Sequence, residues 1–291
     1  MAISARKLRL ALLISGSGTN LQAMIDRSLA GTLSAEIVVV LSDRPGAFGL
    51  ERAARANIPA FPVDYKAFLK HSPTELEKAQ LPVDLADLDK RQKIVRNSDP
   101  IERQTRLARL VMAEHELIRI IDSYRPDYVC LAGFMRLVTP YFINHFNAGG
   151  LRILNIHPAL LPCFPGQHGY EDTFEYGCRW GGITVHFADE GEDTGLIIAQ
   201  AVYPIWPDDD IDKIRRRGLS LEYEVYSQVI NWLAQGDVAL KSAPGGGTRV
   251  EITDPNYAGI LGSWVARACR TEKLPAASWV QKIIKQKQQD S

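Results

Sequence analysis

The sequence predicts an α/β fold: a doubly wound, mostly parallel sheet with helices on both faces, plus a surface insertion and a C-terminal extension. Three observations carry this expectation. The runs "LRLALLIS", "AEIVVVLS", "DYVCLAGF" and "LRILNIH" are short, rich in β-formers and apolar throughout, which is how strands covered on both faces read. Helical patterns separate them, as crossovers between parallel strands require. With 291 residues and 46 % apolar composition, the chain is long enough to bury a large core.

Arg6, Lys7 and Arg9 lie close to the short apolar run, so the opening "ARKLRLALLISG" imitates a signal peptide. No small-residue cleavage site follows cleanly, and the segment reads as a buried first strand. "GSGTNLQAMID" then turns into a helix over residues 19 to 30, and a second helix is expected over about 47 to 56. The stretch "KHSPTELEKAQLPVDLADLDKRQKIVRNSDP" is polar, helix-prone and broken by prolines, so it reads as an excursion over the surface. A long helix follows from about 100 to 124. Ser98 or Asp99 can cap it, Pro100 suits its first turn, and Leu107, Leu110, Val111, Leu117, Ile118 and Ile121 form one apolar stripe.

"GGITVHFADE" and "LIIAQAVYPI" read as paired strands joined by an acidic loop, and "DIDKIRRRGLSLEYEVYSQVINWLAQG" as a closing helix with Tyr226, Val229, Ile230 and Leu233 on its apolar face. "SAPGGGTR" is a flexible connection into a tail with strand-like and helical pieces ending in "KQKQQDS". The expected organisation is a catalytic domain over 1–240, with the insertion at 66–110, and an extension over 241–291.

Charge and cysteine usage narrow the partners. The 34 basic and 34 acidic residues cancel, so no global field draws the chain to nucleic acid or an anionic membrane. No run approaches the roughly 20 apolar residues of a membrane span. Cys130, Cys163, Cys178 and Cys269 are scattered without a CxxC pair, which fits a reducing cytoplasm. The six histidines show no HExxH or comparable ligand spacing, so no metal is expected. Small-molecule substrates and a monomer or homodimer are the expectation.

Two stretches carry the chemistry. "LLISGSGTNL" sets small residues between a strand and a helix start, where free backbone amides and the helix dipole favour a phosphate. It lacks the Lys of a triphosphatase loop and the third Gly of the dinucleotide fingerprint, so a plain tight turn reads equally well. In "LRILNIHPALLPCFPG", Asn155 and His157 are two apart on an extended segment and share a side. At the carboxyl end of a strand, such a pair of donors could stabilise an oxyanion in acyl transfer; the alternative is a satisfied Asn and His closing a turn before Pro158. A nearby carboxylate would raise the pKa of His157, and "ADEGEDTG" offers Asp189, Glu190, Glu192 and Asp193 without a chemical reason to choose. His186 reads as a strand histidine.

Taken together, "LLISGSGTNLQAMID", "AFGLERA", "PDYVCLAGFMRLVTP", "LNIHPALLPCFPGQH", "TVHFADEGEDTGLIIAQ" and "EYEVYSQVINWL" resemble the folate-dependent phosphoribosylglycinamide formyltransferases of purine biosynthesis. The blocks occur in order over about residues 8 to 236. The resemblance implies the formyltransferase fold and transfer of a formyl group from 10-formyltetrahydrofolate, as co-substrate, to the amine of glycinamide ribonucleotide. It implies a catalytic trio of Asn155, His157 and Asp193, the last now chosen within the acidic loop. It places the substrate at Gly18, Thr19, Asn20 and Glu222. It places the folate at Met135, Arg136, Leu137 and Val138, with Asn155, Asp189, Glu190 and Asp193. The insertion, the extension, Tyr223 where the family often has His, and the wording of "QHGYEDTFEYGCRW" depart from the family pattern. Competing readings are formyltetrahydrofolate hydrolase, a formyltransferase for another amine, and a non-catalytic phosphate-ligand-binding protein on the same fold.

Overall fold

Strand β1 (Leu8–Ile14) is buried from Leu10 onward, which puts it at the centre of a sheet rather than at an edge. The structure, a computed structural model, describes residues 7–270. Arg6 of the signal-like opening and the segment "KQKQQDS" lie outside the described residues. With β2 (Ala35–Ser42), β3 (Ala60–Pro62), β4 (Tyr128–Leu131), β5 (Ile153–His157), β6 (Trp180–Phe187) and β7 (Ile197–Pro204), β1 forms a seven-stranded sheet in the order β3-β2-β1-β4-β5-β6-β7. Pairing is parallel from β3 to β5 and antiparallel for β5 with β6 and β6 with β7. The order reverses between β1 and β4, and a crevice at the carboxyl ends of strands on such a reversal is where doubly wound sheets bind ligands.

Each face of the sheet has its own core. On one face α1 (Thr19–Leu29), α8 (Gly169–Glu175) and α9 (Ile211–Gln235) bury Leu21, Met24, Tyr170, Leu221, Val225 and Tyr226. On the other, α6 (Pro100–Tyr124) and α7 (Pro140–Asn147) bury Leu107, Leu117, Ile121 and Phe142. The start of α6 is set as expected: Pro100 is its first residue, and the Asp99 carboxylate accepts from the amides of Ile101 and Glu102 at 2.8 and 3.4 Å. Its apolar stripe is buried at all six positions named from the sequence, worth about 1.5–3 kcal/mol for each fully buried large side chain. The predicted second helix is α2 (Phe48–Arg55).

The insertion departs from a mere surface excursion. Its helices α3 (Tyr65–Lys70), α4 (Glu75–Ala79) and α5 (Leu85–Arg91) are short and capped by Asp64, Thr74 and Asp84, and most of α4 is exposed. Leu88 and Val95 nevertheless enter the core beside α6, at 3 and 4 % exposure. An Arg103–Asp89 pair with contacts of 2.5 and 2.8 Å ties α5 to α6. A composition that is polar on average hid these few apolar anchors.

The extension likewise joins the core. β8 (Val238–Ser242) and β9 (Thr248–Ile252) form an antiparallel hairpin around the glycine-rich turn, and α10 (Tyr257–Cys269) returns to the sheet. There Trp264 packs edge-on to Trp232 of α9, with ring centroids 5.9 Å apart, and Trp232 donates its indole N–H to Asp254 at 2.6 Å. Within the described residues the core therefore continues past residue 240.

Candidate active site

Alternation along β5 sends Asn155 and His157 to the same side at the carboxyl end of the sheet, beside β6, and both line one crevice. Asp193 reaches them from the β6–β7 loop. Asn155 Nδ2 donates to Asp193 Oδ1 at 3.2 Å and contacts His186 Nε2 at 3.1 Å. His157 Nδ1 lies 3.3 Å from Asp193 Oδ2, and its Nε2 donates to the Phe164 carbonyl at 2.7 Å. The amide of Gly166 donates to Asp193 Oδ2 at 2.8 Å. Asp193 holds φ 55 and Phe164 φ 54, the left-handed region that non-glycine residues rarely occupy. Such strain clusters where structure is held for function. Gly195 keeps the loop tight, since a Cβ there would lie 1.7 Å from the Phe187 carbonyl oxygen.

Burial outweighs the upward pull that Asp193 does exert on the His157 pKa, as a neighbouring carboxylate should. The ring is 3 % exposed, and burial holds its pKa below the ordinary value although Asp193 and the Phe164 carbonyl pull it upward. For Asp193, burial acts to raise the pKa, but His186, the Gly166 amide and His157 outweigh it and hold the carboxyl below its usual range. The resting pair is thus a neutral imidazole against a carboxylate. NMR titration should show His157 changing charge below the ordinary 6.5 of histidine, and lower still in Asp193→Asn.

The crevice is walled by Met135, Arg136, Leu137 and Val138, by Asp189, and by Ile94 of the insertion. Arg136 is fixed by Asp43 at 2.6 Å and lies over the Tyr65 ring, 5.5 Å from its centroid. Glu190 is the exception among the expected residues. Its side chain is turned to Arg91 and Asn144, both at 2.7 Å, and is absent from the crevice lining. Two donors outside the loop compete for its carboxylate. Glu190 therefore ties the acidic loop to the insertion and to α7.

The small-residue turn behaves as a helix start whose amides are free. Gly18 caps α1 with φ 65 and no side-chain cap, so the first-turn amides stay open to an anion. A Cβ on Gly18 would lie 2.8 Å from the Cα of Gly49, so α2 backs directly onto the turn. Asn20 Nδ2 donates to Glu222 Oε2 at 2.6 Å, which joins these two expected residues in one cluster.

Sequence reasoning missed three participants. Arg52, 7 % exposed, puts a cation under the turn through Nε donating to the Ser17 carbonyl at 2.7 Å; its place in "AFGLERA" was the available signal. His186 contacts Asn155 and lies 3.5 Å from Asp193, and only its strand pairing to Asn155 reveals this. Ile94 had no signal, since the wall it forms depends on how the insertion docks.

Among the described residues, no group of three His, Cys, Asp or Glu is arranged to hold a metal, and no helix is long and apolar enough to cross a membrane. Aligned donors and a carboxylate-held imidazole at the mouth of a doubly wound sheet are the equipment of a group-transfer enzyme. Residues 8–230 match the formyl transferase family, and the chain belongs to it. It is 36 % identical over 229 residues to Escherichia coli phosphoribosylglycinamide formyltransferase, covering 79 % of this chain and 88 % of that one. It is 36 % identical over 236 residues to the trifunctional purine biosynthetic protein adenosine-3 of Drosophila melanogaster, spanning 80 % of this chain but only 14 % of that much longer protein. Among solved structures, glycinamide ribonucleotide transformylase 1 from Symbiobacterium toebii superposes with TM-score 0.66 at 35 % identity, covering 86 % of this chain and 95 % of that one.

Proposed function

We propose that this chain transfers the formyl group of 10-formyltetrahydrofolate to the amine of glycinamide ribonucleotide, a step of purine biosynthesis. The observation that carries this reading is the convergence of Asn155, His157 and Asp193 at one crevice, in a family whose relatives are named for this activity. The apolar walls at Ile94, Met135, Leu137 and Val138 suit an aromatic bicycle, and the adjacent backbone offers its polar edge hydrogen bonds. The open amides of Thr19 and Asn20, over buried Arg52, suit the acceptor phosphate.

The substrate amine attacks the formyl carbon, and the formyl oxygen gains negative charge. Asn155 Nδ2 and His157 Nε2 turn from Asp193 and the Phe164 carbonyl to that oxygen. The attacking amine must shed a proton and the departing folate nitrogen must gain one. His157 keeps its Nε2–H on the formyl oxygen, so the proton passes by way of Asp193, which lies 3.3 Å from Nδ1 and stabilises the charged form of His157. No covalent enzyme intermediate is required. We place the chain in the cytoplasm, where the free thiols of its four cysteines would be kept reduced.

The test is an assay with and without the ribonucleotide. A transferase consumes 10-formyltetrahydrofolate slowly alone and far faster with glycinamide ribonucleotide, yielding the formylated ribonucleotide. Rapid release of formate, indifferent to the ribonucleotide, would establish the hydrolase instead. Thr19→Asp, which sets a carboxylate among the first-turn amides, should raise the ribonucleotide Kd at least tenfold by charge repulsion and leave the folate Kd unchanged. Isothermal calorimetry with each ligand checks this, and equal loss of both would mean misfolding.

A further inference from the structure

Glu222 is 6 % exposed on α9, and both of its carboxylate oxygens are engaged. Oε1 accepts from the Tyr170 hydroxyl, and Oε2 accepts from Asn20. Tyr170 stands in the first turn of α8, directly after Gly169. Gly169 lies close against the catalytic strand's end: a Cβ there would be 3.2 Å from His157 Nε2 and 3.1 Å from the Pro158 carbonyl oxygen. Tyr170 thus bridges from the neighbourhood of His157 to the helix that carries Glu222.

The tyrosine ring fits because residue 218 is glycine. A Cβ at Gly218 would come within 2.3 Å of the ring. Glycine inside a helix is destabilising, and Gly218 sits one turn before Glu222 on the same face. Its compensation is the slot that aims the Tyr170 hydroxyl at the carboxylate. Two further polar atoms of this neighbourhood, Asn20 Oδ1 and the Tyr203 hydroxyl, are buried without a hydrogen-bond partner among the described residues, which marks the cluster as built for a polar guest.

We propose that Tyr170 is a positioning residue for the acceptor: seated in the Gly218 slot, its hydroxyl fixes the Glu222 carboxylate, together with Asn20, toward the donor groups of a phosphorylated amine whose phosphate lies at the start of α1. This deepens the transferase reading and rests on it. The groups facing Glu222 are Tyr170 from α8, Asn20 from α1 and Tyr203 from β7, with Tyr223 beside it on α9. The nearest cation to Tyr203, Arg217, is paired with Asp209 at 2.6 Å. Burial pushes the Glu222 pKa up, and the hydrogen bonds from Tyr170 and Asn20 oppose that rise. Losing the hydroxyl therefore moves it further up.

Tyr170→Phe keeps the ring and removes only the hydroxyl, in the full chain. We expect the KM for glycinamide ribonucleotide to rise about tenfold, the order of one buried hydrogen bond to a charged group. Most of the loss should fall in KM rather than kcat, with the KM for 10-formyltetrahydrofolate unchanged. The acid limb of kcat/KM for the acceptor should move to higher pH. In parallel, the side-chain carboxyl carbon of Glu222, labelled with ¹³C and assigned with Glu222→Gln, should titrate at higher pH in Tyr170→Phe than in the wild type. An unchanged acceptor KM and acid limb in a folded variant overturns the proposal. An unchanged Glu222 titration overturns it too. A wild type indifferent to the ribonucleotide overturns the transferase reading instead, and the ¹³C titration then judges the Tyr170–Glu222 coupling by itself.

Discussion

His157→Ala and Asn155→Ala are each expected to lower kcat for formyl transfer by about 100-fold or more, the usual cost of removing one oxyanion donor. The magnitude follows from where the donors stand. Both sit on β5, whose register is fixed by β4 on one side and β6 on the other, so their backbones are held and only the side-chain ends turn to the oxygen when charge develops. The His157 ring is 3 % exposed and the polar atoms of the site already contact one another, so alanine leaves no equally placed donor. Asp193→Asn should cost a similar factor for a different reason. The amide keeps the shape, tolerates the left-handed backbone and can still accept from Gly166, but it no longer stabilises a charged His157. Because the three act on one oxygen and one proton path, the double variants should lose far less than the product of the single losses. Steady-state rates measured with folate binding as a control decide the matter. Near-normal turnover in a single variant that still binds folate excludes that residue from the chemistry.

The parts legible in the sequence are those in which chemistry and local geometry coincide. A spacing of two on an apolar run aligns Asn155 with His157 whatever the rest of the fold does, and the small residues before Thr19 announce an open helix start. Asp193 was legible only through family wording, since composition cannot rank four acids in one loop. Where Glu190 rests was hidden for the same reason. The groups that claim it, Arg91 and Asn144, lie 99 and 46 residues away in the chain and meet it only after α5 and α7 dock. The net direction of the His157 pKa was not legible, because a carboxylate neighbour is visible in a sequence and the burial that outweighs it is not. The insertion was hidden by its polar average: Leu88 and Val95 stand in a polar stretch, and each is buried.

Trp232→Ala should destabilise the protein by about 3–5 kcal/mol, the range for removing a large aromatic from a core, and lower Tm by about 10 °C. Trp232 is fully buried, contacts the rings of Tyr257 and Trp264, and gives its indole N–H to Asp254. Alanine leaves a large cavity and at once deprives Asp254 Oδ2 of its indole donor, Oδ1 still accepting from the Asn256 amide. Every one of those partners lies beyond residue 240, so the variant also asks whether that segment belongs to the core. If it does, Trp264→Ala, itself 4 % exposed in the wild type, should cost about 2–4 kcal/mol. The double variant should then deviate from additivity by at least about 0.5 kcal/mol, because the two rings share one cavity. Chemical denaturation of the four proteins measures this cycle. Additive losses, or a Trp264→Ala variant as stable as the wild type, would mean that α10 rests on a core that is complete without it. A single cooperative transition with a coupled pair would mean that the fold supporting Glu222 on α9 extends through the C-terminal hairpin and helix. In that case, shortening the chain at residue 240 would weaken the platform of the acceptor site as well as the tail.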